Sequence, residues 1–326
     1  MALLSVQKRI VILRNSKSDS GSGGWANIGP NLWEDTTLSD SYKGMIYIFL
    51  SAIILSTGGI FIKIVPAEPL TIVALRSGIA VLTLLPFLRI KQIKFRTPTV
   101  VYILAYTVTM ITFVTATKYT TSANTIALQF AGSLYLFLYG VYRKQIKVRL
   151  GNVTPMLFIV IGIGAFLLEP SIGNSLLGNI LAVISGISLA TMFGIVPKIK
   201  DISPVSLICI SNLTIFILVF PLLPAYRNSL AIGAQGWMAI VYLGMVQVAL
   251  SFILNIKGVR LTGALPSMVI AMFEAVLNPI WVFIFIGEVP TTNGFVGIMM
   301  ILGAVIFNIF QQIHYEKKHL LDSTTI

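Results

Sequence analysis

The chain is poor in the residues from which soluble domains and metal sites are built. Of its 326 residues only 10% are charged and 56% are hydrophobic, whereas about a quarter of the residues in soluble domains are charged. A single cysteine, Cys209, excludes an internal disulfide framework and a four-thiolate metal site. The two histidines, His314 and His319, both follow the last apolar run. The composition therefore predicts a protein that folds in a lipid bilayer.

Catalytic and nucleotide-binding motifs are missing as well. The apolar runs contain neither His nor Asp, and the sequence has no GxSxG, HExxH or GxxxxGKS/T motif. Those motifs would supply a nucleophilic serine, a zinc site and a phosphate-binding loop. We therefore expect no catalytic residue, no metal ligand and no cofactor. The chain is predicted not to be an enzyme and not to be driven directly by ATP.

Ten apolar segments are long enough to cross a membrane as helices. A span needs about 20 mainly apolar residues, because each residue adds about 1.5 Å toward about 30 Å of hydrocarbon. No segment shows the sustained alternation of barrel strands. The sequence thus predicts an all-α integral membrane protein with ten transmembrane helices. Their limits are 44–63, 70–88, 98–117, 120–141, 153–169, 178–197, 204–223, 236–256, 262–286 and 293–311.

Lysine and arginine are distributed unequally along this pattern. With the N-terminus in the cytoplasm, 19 of the 23 Lys and Arg residues fall on the inner side, three fall outside and Arg76 lies within a span. Since positive residues collect in cytoplasmic loops, we expect a multi-pass protein of the cell (inner or plasma) membrane with both termini cytoplasmic. Residues 1–42 are predicted to be a flexible cytoplasmic tail, and residues 312–326 to be a cytoplasmic tail at the other end. The net charge of +12 is spread over loops and does not predict nucleic-acid binding.

The two halves of the apolar region resemble each other. An offset of 134 aligns Gly44 with Gly178, and an offset of 142 aligns Lys118 with Arg260. Because each half holds an odd number of spans, the halves must enter the membrane in opposite senses. The sequence therefore predicts two inverted five-helix repeats, an architecture typical of secondary transporters. The repeats are predicted at residues 43–169 and 178–311.

Two stretches, KYTTSANTIALQFAGSLY (118–135) and EAVLNPIWVFIFIGE (274–288), resemble the EamA-type family of the drug/metabolite transporter superfamily. Together with the ten spans and the duplication, the resemblance covers residues 43–311. In that family the ninth helix begins its signature with Glu-Pro and ends it with Gly-Glu. Here Glu274 and Glu288 match, whereas Ala275 stands where the proline is common. The resemblance implies a carrier of small organic solutes, such as amino acids or other metabolites, and several family members are exporters.

Glu274 is a carboxylate near the middle of the ninth predicted span. An acidic residue there costs about 2.5–3.5 kcal/mol on insertion scales, so it is expected to face the protein interior or a wet cavity. Its helical face also carries Ser267, Asn278 and Trp281, at spacings of 7, 4 and 3. Two interpretations stay open. Either this face lines a transport cavity, where the acid binds a cationic or hydrogen-bond-donating group or takes up a proton, or the acid is structural and paired with a neighbouring helix.

Pro279 lies one turn after Ala275 on the same helix. Because proline lacks an N–H, it leaves the carbonyl of Ala275 without its helical partner. We therefore expect a kink at this position.

Arg76 is the other charge predicted inside the membrane, one to two turns from the outer end of the second span. It requires a partner or a water-filled cavity at that depth. Three roles are open for it: a salt bridge to Glu274, the binding of a solute carboxylate, or local hydrogen bonds to backbone or lipid headgroups.

Further polar residues follow helical spacing in other spans. Each is expected either to bind the solute or to hydrogen bond between helices, a contribution of about 0.6 kcal/mol. A row of small residues on the sixth span instead predicts close helix packing. That row comprises Ala182, Gly186, Ala190 and Gly194. The polar candidates are Tyr106 and Thr109 on the third span, Asn124 and Gln129 on the fourth, and Gln247, Ser251 and Asn255 on the eighth. Thr109 and Ser251 are expected to face each other across the pseudo-symmetry axis.

These features predict a secondary active transporter, a permease or exporter, that moves a small organic metabolite by alternating access. Its partners would be the solute and the bilayer, with protons or a counter-substrate as alternatives for coupling. Two other classes stay open: a membrane assembly or scaffold protein that transports nothing, and an intramembrane enzyme. Neither the solute, the direction of transport nor the oligomeric state is predicted.

Overall fold

The computed structural model describes residues 38–89, 93–144, 146, 148–167, 175–222, 232–286 and 292–324. These residues form helices and turns and no strand, so the all-α prediction is confirmed for the described part of the chain. A π-helical stretch, Leu243–Leu250, joins the helix Gly233–Tyr242 to the helix Ser251–Thr262. The helices are α1 Leu38–Ser56, α2 Gly58–Ile64, α3 Pro69–Leu84, α4 Thr97–Tyr119, α5 Ser122–Phe130, α6 Gly132–Tyr142, α7 Leu150–Leu167, α8 Leu176–Ile195, α9 Pro204–Val219, α10 Gly233–Tyr242, α11 Ser251–Thr262, α12 Ala264–Ala271, α13 Phe273–Ile286 and α14 Thr292–Thr324.

Within the described residues, eight helical segments are long and apolar enough to cross a membrane. Two further helices contain shorter apolar stretches, Leu150–Ala165 and Phe295–Gln311. The eight segments are Asp40–Ile64, Pro69–Phe87, Thr97–Tyr119, Ser122–Tyr142, Leu176–Lys198, Pro204–Leu222, Gly233–Thr262 and Ala264–Phe285. Each coincides with one of the predicted spans, shifted by a few residues at its ends.

Three of these segments are interrupted by a single non-helical residue. The interruptions fall at Thr57 between α1 and α2, at Ala131 between α5 and α6, and at Met272 between α12 and α13. At the third, the Met272 N–H donates to the Val269 carbonyl at 3.2 Å, a contact three residues back instead of four. Pro279 lies inside α13, which continues through it, and the interruption of this span falls seven residues before the proline.

The main helix pairs join the first half of the chain to the second. The helix α4 packs on α8, α1 on α11, α3 on α9 and α7 on α14. The two halves are therefore interleaved around one core. On the side that is predicted to be cytoplasmic, Arg96 and Asp201 form an ion pair of 2.8 Å between the segments that precede α4 and α9.

Glycines allow α8 to pack closely against the α5–α6 segment, as the small-residue row on the sixth span predicts. A Cβ added at Gly132 would overlap the Gly186 carbonyl, and a Cβ at Gly186 would overlap the Gln129 carbonyl. Both obstacles are backbone atoms and cannot rotate away. The interruption at Ala131 thus lies where the backbone of α8 touches the backbone of the α5–α6 segment.

We expect Gly186→Ala to lower the thermal stability of the purified protein in detergent, because the added methyl overlaps backbone. Overpacking of this kind costs about 1–3 kcal/mol. Gly303→Ala is the matched control, since a Cβ at Gly303 meets nothing within 4 Å and alanine has the higher helix propensity. Thermal unfolding followed by size-exclusion chromatography compares the two. An equal melting temperature for both variants would contradict the close approach of α8.

Candidate functional site

The interruption of the first span is bridged by a side chain from the ninth. Because α1 ends at Ser56, the carbonyl of that residue lies at a helix end, where regular helical bonding stops. The Asn278 side chain, on α13, donates from Nδ2 to this carbonyl at 2.8 Å. In a membrane interior no water would otherwise satisfy such a group. An amide from the second half of the chain therefore satisfies a carbonyl at the break in the first half.

Two hydroxyl groups at the break hold aromatic side chains from the second half. The Ser56 hydroxyl donates to the Ile53 carbonyl at 2.6 Å and accepts from Trp281 Nε1 at 2.9 Å. The Thr57 hydroxyl donates to the Ile54 carbonyl at 2.7 Å and lies 2.9 Å from the Tyr242 hydroxyl. Since each residue has one hydroxyl proton and gives it to its own helix, each oxygen is an acceptor for the aromatic partner.

The glycine pair that follows lets polar side chains approach the backbone of the first span. A Cβ at Gly58 would lie 2.6 Å from Gln247 Nε2. A Cβ at Gly59 would lie 2.6 Å from Asn278 Nδ2 and 3.0 Å from Ser122 Oγ. Gln247 belongs to the π-helical stretch, a geometry that is frequent at functional sites. We call this region, formed by Ser56–Gly59, Ser122, Gln247 and Asn278, the helix-break site.

Three polar atoms of the helix-break site have no hydrogen-bond partner. They are Gln247 Oε1, Asn278 Oδ1 and Ser122 Oγ, and each is enclosed. The three side chains are at most 3% exposed. An unpaired buried polar atom costs about 1–3 kcal/mol, so these three atoms have capacity for further hydrogen bonds. The donor and acceptor set suits a neutral or zwitterionic polar molecule, or water.

Glu274 lies one helical turn before Asn278, at the start of α13. Two contacts show where Glu274 lies along α1. The rings of Phe49 and Phe273 are 4.7 Å apart and Asn278 bonds to Ser56, so Glu274 lies between these two positions. Glu274 is 5% exposed and forms neither a hydrogen bond nor an ion pair within the described ranges. The acid is thus buried one helical turn from Asn278 of the helix-break site.

The predicted polar face of the ninth span is only partly continuous. Asn278 and Trp281 both contact Ser56, so the structure brings these two predicted residues together. Ser267 lies in α12, on the other side of the interruption at Met272. Glu274 therefore lies in the same helix as Asn278 and Trp281, whereas Ser267 lies across the interruption.

Thr109 and Gln129 belong to a different, fully bonded contact. Gln129 Nε2 donates to the Ser185 hydroxyl at 2.6 Å, and that hydroxyl lies 3.4 Å from the Thr109 carbonyl. The Thr109 hydroxyl points to the Met192 sulfur at 3.5 Å. These atoms tie α4 and α5 to α8, so both predicted residues act as interhelical contacts here.

The predicted pairing of Thr109 with Ser251 is not seen. The Ser251 hydroxyl donates to the Gln247 carbonyl on its own helix, whereas Thr109 faces α8. Asn124 lies in the first turn of α5, where its N–H donates to the Thr121 hydroxyl at 3.2 Å, and its side chain is buried beside Ser122. Asn255 is buried in α11.

Arg76 and Tyr106 form a second buried polar cluster. Arg76 Nη2 donates to the Met110 carbonyl at 3.3 Å, and Tyr106 accepts from Asn212 Nδ2 at 3.0 Å. Of the three roles that the sequence leaves open for Arg76, a local backbone contact is present. An ion pair with Glu274 is absent from the described residues, and lipid headgroups are excluded because Arg76 is 1% exposed.

Sequence reasoning missed the first-span part of the site. The signal available was the string STGG at residues 56–59, since helix kinks occur at Gly and Ser pairs. Tyr242 and Asn212 carried no comparable signal, because their contacts depend on how distant helices pack. Among the described residues no three His, Cys, Asp or Glu side chains are grouped as a metal site.

We expect Glu274→Gln to leave the melting temperature unchanged or to raise it. The variant removes a membrane-buried charge and, with no partner present in the described ranges, leaves nothing uncompensated. Breaking a buried pair would instead cost about 3–5 kcal/mol. Asn278→Leu is the matched comparison and should be destabilising, because it leaves the Ser56 carbonyl unsatisfied. A marked loss of stability in Glu274→Gln would show that the acid has a structural partner.

Comparisons with known proteins identify the family and the fold of the chain. The model of the EamA-like transporter family matches the chain twice, at residues 42–168 and 176–310. An uncharacterized transporter from Archaeoglobus fulgidus is 24% identical over 267 residues, which cover 81% of this chain and 95% of the relative. A solved crystal structure with 14% sequence identity has a TM-score of 0.69, covering 84% of this chain and 99% of that chain, which shows a shared fold. The chain therefore belongs to the EamA-like transporter family and is a multi-pass membrane transporter.

Proposed function

We propose that the chain is a secondary active transporter that carries a small organic metabolite, such as an amino acid or a related compound, by alternating access. The observation that carries the proposal is the helix-break site, where Ser122, Gln247 and Asn278 each keep one buried atom unpartnered. Irregular backbone at membrane depth is tolerated where it is buried in protein or lines a cavity. Solute sites of secondary transporters are typically formed by such interrupted helices.

The interruptions support a ten-span architecture of two inverted repeats. The offset of 142 that aligns the fourth and ninth spans places Ala131 on Phe273, one residue from the observed break at Met272. Two helices thus break at corresponding positions of the two halves. This correspondence joins the sequence duplication as support, with the cell membrane and cytoplasmic termini inferred from the distribution of Lys and Arg.

The division of the site between the halves supports alternating access. The first half contributes Ser56–Gly59 and Ser122, and the second contributes Gln247 and Asn278. Movement of one half against the other would therefore open and close the site. In the proposed orientation, the contacts of Trp281 and Tyr242 with the broken helix lie toward the outside. The Arg96–Asp201 ion pair lies toward the cytoplasmic face in this orientation. The outer contacts and the inner ion pair can therefore break in turn, which opens the site to one side at a time.

Glu274 is proposed to bind a cationic or hydrogen-bond-donating group of the solute or to take up a coupled proton. Its position one turn below Asn278 and its lack of a partner within the described ranges support this role. An acid paired with a neighbouring helix would already be neutralised by that contact. The coupling partner is then a proton or a counter-substrate.

We expect Gly59→Ala to reduce transport about tenfold or more while the protein still folds. Its Cβ would crowd Asn278 and Ser122, and a penalty of about 1.4 kcal/mol on solute binding corresponds to tenfold. The measurement is counterflow of a radiolabelled amino-acid mixture into proteoliposomes. Gly303→Ala is the matched control, because it adds the same methyl to a helix where nothing lies within 4 Å.

The two variants must incorporate equally, as judged by the protein recovered from the vesicles. Full counterflow by Gly59→Ala, or equal loss in both variants, would contradict the placement of the solute at the helix-break site. Absence of counterflow for every amino acid in the wild type would contradict the proposed solute class.

A further inference from the structure

Arg76 is a buried cation whose protein contacts are weak. The residue lies in α3 and is 1% exposed. Its Nη2 group has two contacts on Met110, the carbonyl oxygen and the sulfur, both at 3.3 Å. Its Nε–H has no acceptor. A neutral carbonyl and a thioether do not balance the charge of a guanidinium.

No carboxylate of the described chain supplies that balance. The ion pairs among the described residues are Lys43–Asp40 and Arg96–Asp201, both with partly exposed side chains. A charged side chain within a membrane is expensive and normally pairs or faces a water-filled cavity. An unpaired guanidinium at this burial is therefore a site where an external anion would be stabilised.

The surrounding side chains add a second donor. Tyr106 lies one turn before Met110 on α4 and shares its helical face. The Tyr106 hydroxyl accepts from Asn212, and its own proton is donated to no acceptor in the described part of the chain. Asn212 is held on α9 by a bond from Nδ2 to the Ile208 carbonyl at 2.9 Å. The cluster thus presents an N–H and an O–H that both lack an acceptor.

Two contacts place the elements of this cluster together. Phe216, one turn after Asn212, lies 3.0 Å from where a Cβ of Gly78 would be, so α9 passes α3 at the level of Arg76. A Cβ at Gly244 would lie 2.7 Å from the Arg76 carbonyl. Gly244 and Gln247 belong to the same π-helical stretch. That stretch therefore touches the backbone of α3 at Arg76 and contributes Gln247 to the helix-break site.

We infer that Arg76 and Tyr106 bind the carboxylate of a small organic acid, the acidic end of the transported solute. The inference rests on the proposed function, because it assigns one end of the solute that the helix-break site receives. One guanidinium and one hydroxyl suit a singly charged carboxylate, which arginine binds with directed, charge-assisted hydrogen bonds. No second cation is needed for such a ligand, as a phosphate dianion would require.

The test is ligand-induced thermal stabilisation of the purified full-length protein. The probes are L-leucine and benzoate, each compared with its amide, L-leucinamide and benzamide, and with sodium chloride at the same ionic strength. We expect at least one carboxylate to raise the melting temperature by about 2–4 °C near saturation, and its amide to have no effect. Arg76→Gln should abolish the shift, and Glu274→Gln should keep the preference for carboxylate over amide.

Asn212→Asp is the second variant, for the case that Arg76→Gln fails to fold. It places an internal carboxylate beside Tyr106 with almost no change of shape. We expect the variant to lose its response to the carboxylates, because the site is then occupied by the protein's own anion; the bond from Nδ2 to the Ile208 carbonyl is lost in exchange.

Three results would overturn the assignment: no shift with either carboxylate, an equal shift with the amides, or a shift with chloride alone, which would indicate an adventitious ion only. A shift that survives in Asn212→Asp and in a folded Arg76→Gln would also do so. These outcomes leave the proposed function standing, since counterflow and its sensitivity to Gly59→Ala are measured independently of Arg76.

Discussion

The hydrogen bond from Asn278 to the Ser56 carbonyl is the contact on which the rest of the arrangement depends. A transmembrane helix can break only where its exposed backbone groups find partners, because the bilayer core supplies no water. At Thr57 the partner is a side chain from the opposite half of the chain. The break is therefore stable only when the two halves are packed, and the groups that line it come from both. In the proposed function, the same feature is a site for a polar solute and a contact between two moving parts.

The buried polar residues divide into two kinds by whether their bonding is complete. Gln129 and Ser185 bond to each other at the contact of α5 with α8, where glycines bring backbones together. Gln247 and Asn278 keep oxygen atoms unpartnered next to Gly58 and Gly59. Both kinds consist of buried polar side chains within the apolar segments. Completed bonds give rigidity to the packed core, whereas incomplete bonds leave capacity for a ligand.

Much of the fold could be read from the sequence because a bilayer imposes a simple rule on hydropathy. The limits of the apolar runs agree with the helices, and Asn278 and Trp281 proved to share a face that meets the first span. The breaks could not be located in this way. Met272 has neither glycine nor proline as an immediate neighbour, so its interruption arises from packing, while Pro279, the obvious breaker, lies in continuous helix. Tyr242 and Asn212 do not belong to a row of polar residues at helical spacing. Their roles depend on contacts with Thr57 and Tyr106, more than 100 positions away.

The proposed function requires that the helix-break site is a polar pocket open to water during transport. Thiol labelling at Ser122 tests this requirement. In a Cys209→Ser background, Ser122→Cys changes one buried, unpartnered oxygen into sulfur. Leu138→Cys on α6 serves as the surface control, since Leu138 is 64% exposed on an apolar helix. Because the thiolate, which forms where water reaches the thiol, is the nucleophile that attacks the reagent, we predict that a hydrophilic methanethiosulfonate modifies Ser122→Cys in membranes faster than Leu138→Cys. Modification of Ser122→Cys no faster than the lipid-facing control would contradict it.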